Sequence, residues 1–503
     1  ENKYSFVKKK LMKYIYPIKR LFYLSKKFGE VVAIDQANDS YNYKDFTNMV
    51  INLSKKLLSI KERPTVAIVG EKNILSYVSI FSVLLTGGTY IPISANLPIK
   101  RIAKIISSAK VDIIICQKKK IDDLKKKIKK RFFTEEILSD NENSIYPKIT
   151  KFNKIAYIIF TSGSTGKPKG VCISRKSLEH YIKWLNLNLI IKKGIRCSQF
   201  PEISFDLSVA DIFGTLCSGG TLCPADTMFS KTFPGRFIKN KKINFLICVP
   251  SLIDVIKNSG DLNKKNLLSL KGVFFCGEPL LKNHVQSIFK VKKDIKIINS
   301  YGPTEATVSC TKKDVNIKNF KNNNFNSISI GKAILGTKIE LRNNGKLSKK
   351  EGEIIIFGKQ VALGYLNRKE NIGKFFFSNK RGVYYKTGDF VIVKKGEMYF
   401  KNRVDTQVKV KGHRIELDEI TSNLNKFGIK NAHTIILMDK IISFYSGKKS
   451  FNNKSILIFL KKYIPDYMIP NYIFKIKKFP LNHNGKLDTN NLKIKARKKI
   501  NDQ

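Results

Sequence analysis

"KIAYIIFTSGSTGKPKGV", Lys154 to Val171, opens on an apolar, β-rich run and hands over to a loop of small and hydroxylic residues. Strands covered on both faces read as such uninterrupted runs, because neither face has to meet water. The same texture recurs at "PTVAIVG" (64–70), "VDIIICQ" (111–117), "NFLICVP" (244–250), "KGVFFCG" (271–277) and "IKIINSYG" (295–302). Between these runs lie segments that read as helices, such as "ILSYVSIFSVLLTGG" (74–88) and "PIKRIAKIISSAK" (98–110). Alternation of this kind predicts an α/β fold with parallel layers from about residue 30 to 310. Past 325 the texture changes. "TKIELRNN" (337–344), "GEIIIFG" (352–358) and "GVYYKTGDFVIVKKGEMYFKNR" (382–403) predict strands joined by turn dipeptides in an antiparallel, β-rich part. A large N-terminal domain over 1–404 is therefore expected, its β-rich part spanning about 325–404. A small α+β domain over 405–503 follows, with the boundary near Asp405.

The chain has 503 residues, more than one hydrophobic core holds, and 42% of them are apolar. No window offers 18 uninterrupted apolar residues, so no membrane span is expected. Lysines interrupt "VKKKLMKYIYPIKRLFYLSKK" (7–27) every few residues and no small-residue cleavage site follows, which argues against a signal peptide. The eight cysteines sit singly, without a CxxC or a histidine at metal-ligand spacing. They read as core thiols of a reducing, cytoplasmic compartment. The net charge is +55, from 94 Lys and Arg against 39 Asp and Glu. The lysines are spread in short runs without aromatic interleaving or a recognition motif, so biased composition explains them better than nucleic-acid binding. A basic surface still attracts an acidic protein partner.

The loop after the opening strand fails as a P-loop, which needs G-x-x-x-x-G-K-[ST]. Gly166-Lys167 is followed by Pro168, and the position five before Gly166 is Thr161. Its glycines, the hydroxyls of Thr161, Ser162, Ser164 and Thr165, and Lys167 and Lys169 nonetheless suit a polyphosphate. "NSYGPTEA" (299–306) offers Tyr301 as a stacking surface, Thr304 as a hydroxyl donor and Glu305 as a hard oxygen ligand for Mg²⁺. "YKTGDF" (385–390) places Asp389 on a glycine turn between strands, ready to accept from two sugar hydroxyls. "NHNGKLD" (482–488) carries Lys486 on an Asn-Gly turn.

In this order, with "LLTGGTYIPIS" (84–94), "SFDLS" (204–208), "GEIIIFGKQVALGYLNR" (352–368), "NRVDTQVKVKGHRIELDEI" (402–420) and "IPDYMIP" (464–470), the motifs resemble the adenylate-forming superfamily of acyl-CoA synthetases, luciferases and peptide-synthetase adenylation domains. The resemblance spans nearly the whole chain. It implies that Thr161, Ser162, Gly163, Ser164, Thr165, Gly166, Lys167 and Lys169 form a mobile loop over the β- and γ-phosphates of ATP. It also implies that Tyr301 stacks on adenine beside Asn299, with Gly302 in the same nucleotide loop and Thr304 at the α-phosphate. Glu305 would hold Mg²⁺, Asp389 the ribose hydroxyls, and Arg403 would support ribose or phosphate. Lys486 resembles the catalytic lysine that bridges substrate carboxylate and α-phosphate, and Asp405 the hinge about which a mobile small domain turns between half-reactions.

"SFDLS" bears on the acid that is activated. In amino-acid-activating members the aspartate of this motif meets the substrate's α-ammonium group, and Asp206 stands in its place. Helix capping is the dull alternative for Asp206 or Ser208. Aligned by neighbouring motifs, the pocket walls are Leu207, Ala210, Ile247, Phe274, Cys276, Ser300, Val308 and Ser309, none of them charged. A small or medium neutral amino acid is expected. "FFCGE" and "SFDLSVADIF" particularly resemble D-alanine–carrier protein ligases, which makes D-alanine the leading specific substrate. No "GGxS" phosphopantetheine-attachment segment follows the small domain, so a carrier protein on another chain is the expected acceptor. An acyl- or aryl-CoA synthetase is the alternative.

Overall fold

In the computed structural model, residues 15–138, 147, 149, 151–163, 168–321, 325–366, 375–378, 382–404, 407–410, 412–481 and 487–501 are described. Cα proximity divides the chain into two units. The first comprises Glu1–Ala95, Ala109–Ile159 and Gly170–Val404; the second comprises Asn96–Ser108, Phe160–Lys169 and Asp405–Gln503. The proposed hinge Asp405 and the lysine Lys486 lie outside the described residues.

Strands β1 (Val32–Asp35) and β2 (Ser40–Asn42) come first, and β3 (Thr65–Gly70) begins the series expected from the apolar runs. Helix α1 (Ile74–Leu85) follows. Every residue from Leu75 to Leu85 is buried, as an all-round apolar helix must be, and the Asn73 side chain caps it by accepting from the Ser76 amide. Next come β4 (Thr89–Ser94), helix α2 (Ile99–Ser108), β5 (Ile113–Cys116), β6 (Arg131–Phe133), β7 (Ile155–Thr161) and β8 (Lys169–Ser174). Strands β3 to β8 form one sheet in the order β6-β5-β3-β4-β7-β8, with the β3–β4, β3–β5, β4–β7 and β5–β6 pairs parallel.

After helix α3 (Arg175–Asn188) come β9 (Arg196–Gln199), helix α4 (Leu207–Leu216), β10 (Thr221–Pro224), β11 (Phe245–Cys248), β12 (Gly272–Phe275), β13 (Lys296–Asn299), β14 (Thr311–Val315) and β15 (Lys332–Ala333). With β1 and β2 they make a second sheet, ordered β15-β14-β13-β12-β11-β9-β10-β1-β2. Its centre is parallel, and antiparallel pairs close its edges. The β-rich part is an antiparallel sheet of β16 (Thr337–Asn343), β17 (Lys346–Ser348), β18 (Glu351–Gly358), β19 (Phe375–Ser378), β20 (Gly382–Lys394) and β21 (Glu397–Arg403).

Within the second unit, β22 (Gln407–Val410) pairs antiparallel with β23 (His413–Glu416), and helix α5 (Leu417–Phe427) follows. A three-stranded sheet of β24 (Ala432–Leu437), β25 (Lys440–Ser446) and β26 (Tyr472–Ile476) completes it. All eight cysteines are buried and none is in a disulfide. Among the described residues no helix is long and apolar enough to cross a membrane.

Candidate functional site

Asp206 immediately precedes α4, where a capping side chain would sit, yet it does not cap the helix. Its backbone is already helical (φ −64°, ψ −27°), whereas a capping residue needs an extended backbone to turn its oxygen onto the first amides. The half-buried carboxylate instead accepts a hydrogen bond from Thr304 Oγ1 at 2.6 Å. Ser208 turns its hydroxyl back onto Ile203 O (3.1 Å) and Phe205 O (2.6 Å), which tightens the entry to the helix. Just inside, Leu207, Ala210, Ile247, Phe274, Cys276 and Val308 are buried members of one apolar cluster that also contains Tyr301. Cys276 Sγ donates to Val308 O at 3.8 Å. Ser309 Oγ shares a hydrogen bond with Tyr181 Oη (3.0 Å), and Tyr181 stacks on Trp184, which meets Phe274 edge-on. Ser300 is buried and donates from Oγ to Thr311 O. Direct contacts link Cys276 to Val308, Ser309 to Tyr181, and Thr304 to Asp206.

The segment after β13 is folded tightly on itself. Gly302 is required there: a Cβ would meet Val308 O at 2.8 Å and the Ser309 backbone closer still. The chain reverses so that Cys310 N donates to Tyr301 O at 2.7 Å. Glu305 is fully buried, with Oε1 accepting from Tyr365 Oη at 2.6 Å and its main-chain oxygen accepting from Ala362 N at 2.8 Å. Thr307 (φ 53°) and Val308 (φ 71°) adopt the left-handed region, the only β-branched residues to do so among the described residues. Each such residue costs on the order of 1–3 kcal/mol, and persists only where its surroundings over-determine it.

The expectation for Asp389 needs one correction. It does not sit on a turn; β20 runs unbroken through it. Gly388 takes φ 72°, and the register against β18 shifts between Glu353 and Ile355, so the glycine makes a bulge that re-aims the strand without ending it. There Asp389 is almost wholly buried. Its Oδ2 accepts from Tyr301 Oη at 2.6 Å and its Oδ1 pairs with Arg403. Arg403 Nη2 also donates to Thr387 O at 3.1 Å, and Thr387 Oγ1 accepts from the Asp389 amide at 3.0 Å. Burial and then the Asp389 charge push the Tyr301 phenol well above its ordinary range, so it remains a donor at any physiological pH. Asn299 is buried and donates from Nδ2 to Ser329 O at 2.8 Å.

Of the expected phosphate-loop residues, Ser164, Thr165, Gly166 and Lys167 lie outside the described residues. Thr161, Ser162, Gly163 and Lys169 belong to the second unit. There Ser162 Oγ donates to Arg414 O at 2.9 Å, and Gly163 N donates to Glu419 Oε2 at 3.4 Å. Glu419 is buried and pairs with Arg101 of α2 at 2.5 Å. Among the described residues no group of three His, Cys, Asp or Glu could hold a metal. Glu305 fits Mg²⁺ of the kind held by one carboxylate plus substrate phosphates, since one of its oxygens is already oriented by Tyr365. Nothing in the sequence marks Tyr365, Tyr181 or Gln360 as a site residue. The first and last lie in the "GKQVALGYLNR" motif, whose sequence assigns no role to either.

A model of the family described as AMP-binding enzyme matches residues 23–366. The D-alanine–D-alanyl carrier protein ligase of Listeria innocua is 30% identical over 96% of this chain and 99% of that protein. The ligase of the same name from Listeria monocytogenes is 31% identical over 89% and 91%. The Vibrio cholerae adenylation domain AlmE, solved in complex with glycyl-adenosine-5'-phosphate, superposes with a TM-score of 0.83 at 24% identity, covering 95% of this chain and 97% of that one.

Proposed function

The chain belongs to the AMP-binding enzyme family, and from that premise we propose that it activates a small or medium neutral amino acid, D-alanine first among them, as the aminoacyl adenylate. Pyrophosphate leaves, and the aminoacyl group then passes to the phosphopantetheine thiol of a carrier protein. The observation that carries this reading is Asp206, a half-buried carboxylate at the head of a helix whose next residues wall an apolar cluster. A carboxylate so placed suits an α-ammonium group, whose charge offsets the cost of burying the anion. The absence of any charged side chain among the eight wall residues favours a neutral substrate side chain. The named activity of the Listeria relatives supports D-alanine and a carrier-protein acceptor, and a net charge of +55 would favour an acidic carrier.

Tyr301, Asn299 and Gly302 would receive adenine, and Asp389 with Arg403 the ribose. Thr304 has a single hydroxyl proton. It donates to Asp206 here, so an ammonium group arriving at Asp206 would free it to donate to the α-phosphate. Attack of the substrate carboxylate on the α-phosphorus builds negative charge on phosphoryl oxygens, which calls for fixed cations rather than an acid–base pair. Glu305 would hold Mg²⁺, which supplies charge neutralisation when bound, and Lys486 would bridge substrate carboxylate and α-phosphate. Lys486→Ala is expected to slow adenylation by a factor of roughly 10² or more, measured as ATP–pyrophosphate exchange.

Exchange across a panel of D- and L-amino acids and simple carboxylic acids tests the reading. Exchange with neutral amino acids supports it. Exchange with acids lacking an amino group, and with no amino acid, would instead identify an acyl- or aryl-CoA synthetase.

A further inference from the structure

The left-handed pair Thr307–Val308 is held by one side chain far away in sequence. Gln360 is fully buried. Its Nε2 donates toward three main-chain oxygens of the turn: Ser309 O at 2.6 Å, Thr307 O at 3.3 Å and Ala306 O at 3.4 Å. The Gln360 main-chain oxygen accepts from Thr307 Oγ1 at 2.6 Å. Its Oε1 accepts from Thr337 Oγ1 at 3.1 Å, at the first residue of β16. The carboxamide therefore spends its donors on the turn and its acceptor on the antiparallel sheet. Of the residues it bonds, Ser309 is an expected pocket wall and bonds Tyr181; Val308, held between the bonded Thr307 and Ser309, receives Cys276 Sγ on its carbonyl.

We infer that Gln360 is a positioning residue that fixes the shape of the amino-acid pocket, an inference that rests on the function proposed above. The physical reason is the backbone. L-residues branched at Cβ leave the left-handed region unless held there, and relaxation at 307 and 308 would swing the Val308 side chain and move Ser309. Neither glutamate nor an apolar residue makes the same clamp. Glutamate would set an oxygen against three carbonyl oxygens, and an apolar residue would leave those carbonyls without this donor. The same segment also orders the neighbouring carboxylate, since Ala362 N and Tyr365 Oη hold Glu305. Gln360 governs the pocket side of the turn, and Tyr365 the Glu305 side.

The test compares wild type with Gln360→Met, nearly equal in volume, in ATP–pyrophosphate exchange with D-alanine and with D-leucine. The expected result is a KM for D-alanine raised about tenfold or more and a loss of preference between the two amino acids, with the KM for ATP changed less than about twofold. A merely structural role would lower kcat through loss of folded enzyme and leave KM and preference alone. Glycine adopts φ near 53° freely, so Gln360→Met with Thr307→Gly is expected to recover much of the lost KM. Should Gln360→Met fail to fold, Gln360→Asn is read in the same way, because the shortened amide cannot span Ser309 and Thr337 together. Unchanged KM and preference in a folded Gln360 variant, or no recovery by Thr307→Gly, would overturn the positioning role alone. Absence of amino-acid-dependent exchange by wild type would overturn the proposed function and this inference with it.

Discussion

Two aspartates flank the 301–309 turn, and they are provided for differently. Asp389 is almost wholly buried and has a counter-charge built in, the Arg403 guanidinium, with the Tyr301 phenol as a further donor. Asp206 is half-buried and takes the neutral hydroxyl of Thr304. The first arrangement is a finished ion pair inside the fold. The second is a half-buried carboxylate oriented by a hydroxyl, and the function proposed above assigns it the ammonium group of the substrate. Under the proposed function, the contrast is between a group that serves architecture and ribose binding together and one that serves substrate recognition.

The largest effect that would sharpen this contrast is on stability. Asp389→Ala leaves Arg403 without its carboxylate and is expected to cost about 3–5 kcal/mol in denaturant unfolding, whereas Asp206→Ala should cost less than about 1 kcal/mol. Equal costs for the two would break the comparison. A smaller effect concerns pH. Behind the pocket helix, Lys72 is buried, donates to Phe200 O at 2.9 Å, and has its pKa lowered to about 8, chiefly by burial and by Lys231. Asp211 on α4 opposes that shift. Because the folded value lies below the ordinary one, the unfolded chain binds more protons between about pH 8 and 10.5, and stability rises with pH across that window. Relative to Lys72→Met, wild type is expected to gain about 2–3 kcal/mol between pH 7 and pH 10. A flat difference would contradict the burial of a charged lysine there.

Much of this arrangement was legible in the sequence. The parallel strands were readable because burial on both faces leaves uninterrupted apolar runs, as in β3, β5, β7 and β12. Strands β9 and β10 were harder because neither is an uninterrupted apolar run: Arg196, Ser198 and Gln199 make up most of the first, and Thr221 and Pro224 bound the second. Thr-Gly-Asp reads locally as a reversal, which is why the sequence alone sets Asp389 on a turn. Only the pairing of β20 with both β18 and β21 shows that the glycine is a bulge. Gln360 and Tyr365 carried no local signal at all. Their significance lies in contacts to residues 51 to 60 positions away, which no window of the sequence displays.

The most direct measurement of the central claim is ATP–pyrophosphate exchange with D-alanine and with propionate, which differ by one ammonium group, in wild type and in Asp206→Ala. Wild type is expected to prefer D-alanine by a factor of about 10² or more in kcat/KM, and the variant to lose most of that preference while its KM for ATP stays within about twofold. A folded Asp206→Ala enzyme that still prefers D-alanine to the same degree would contradict the account.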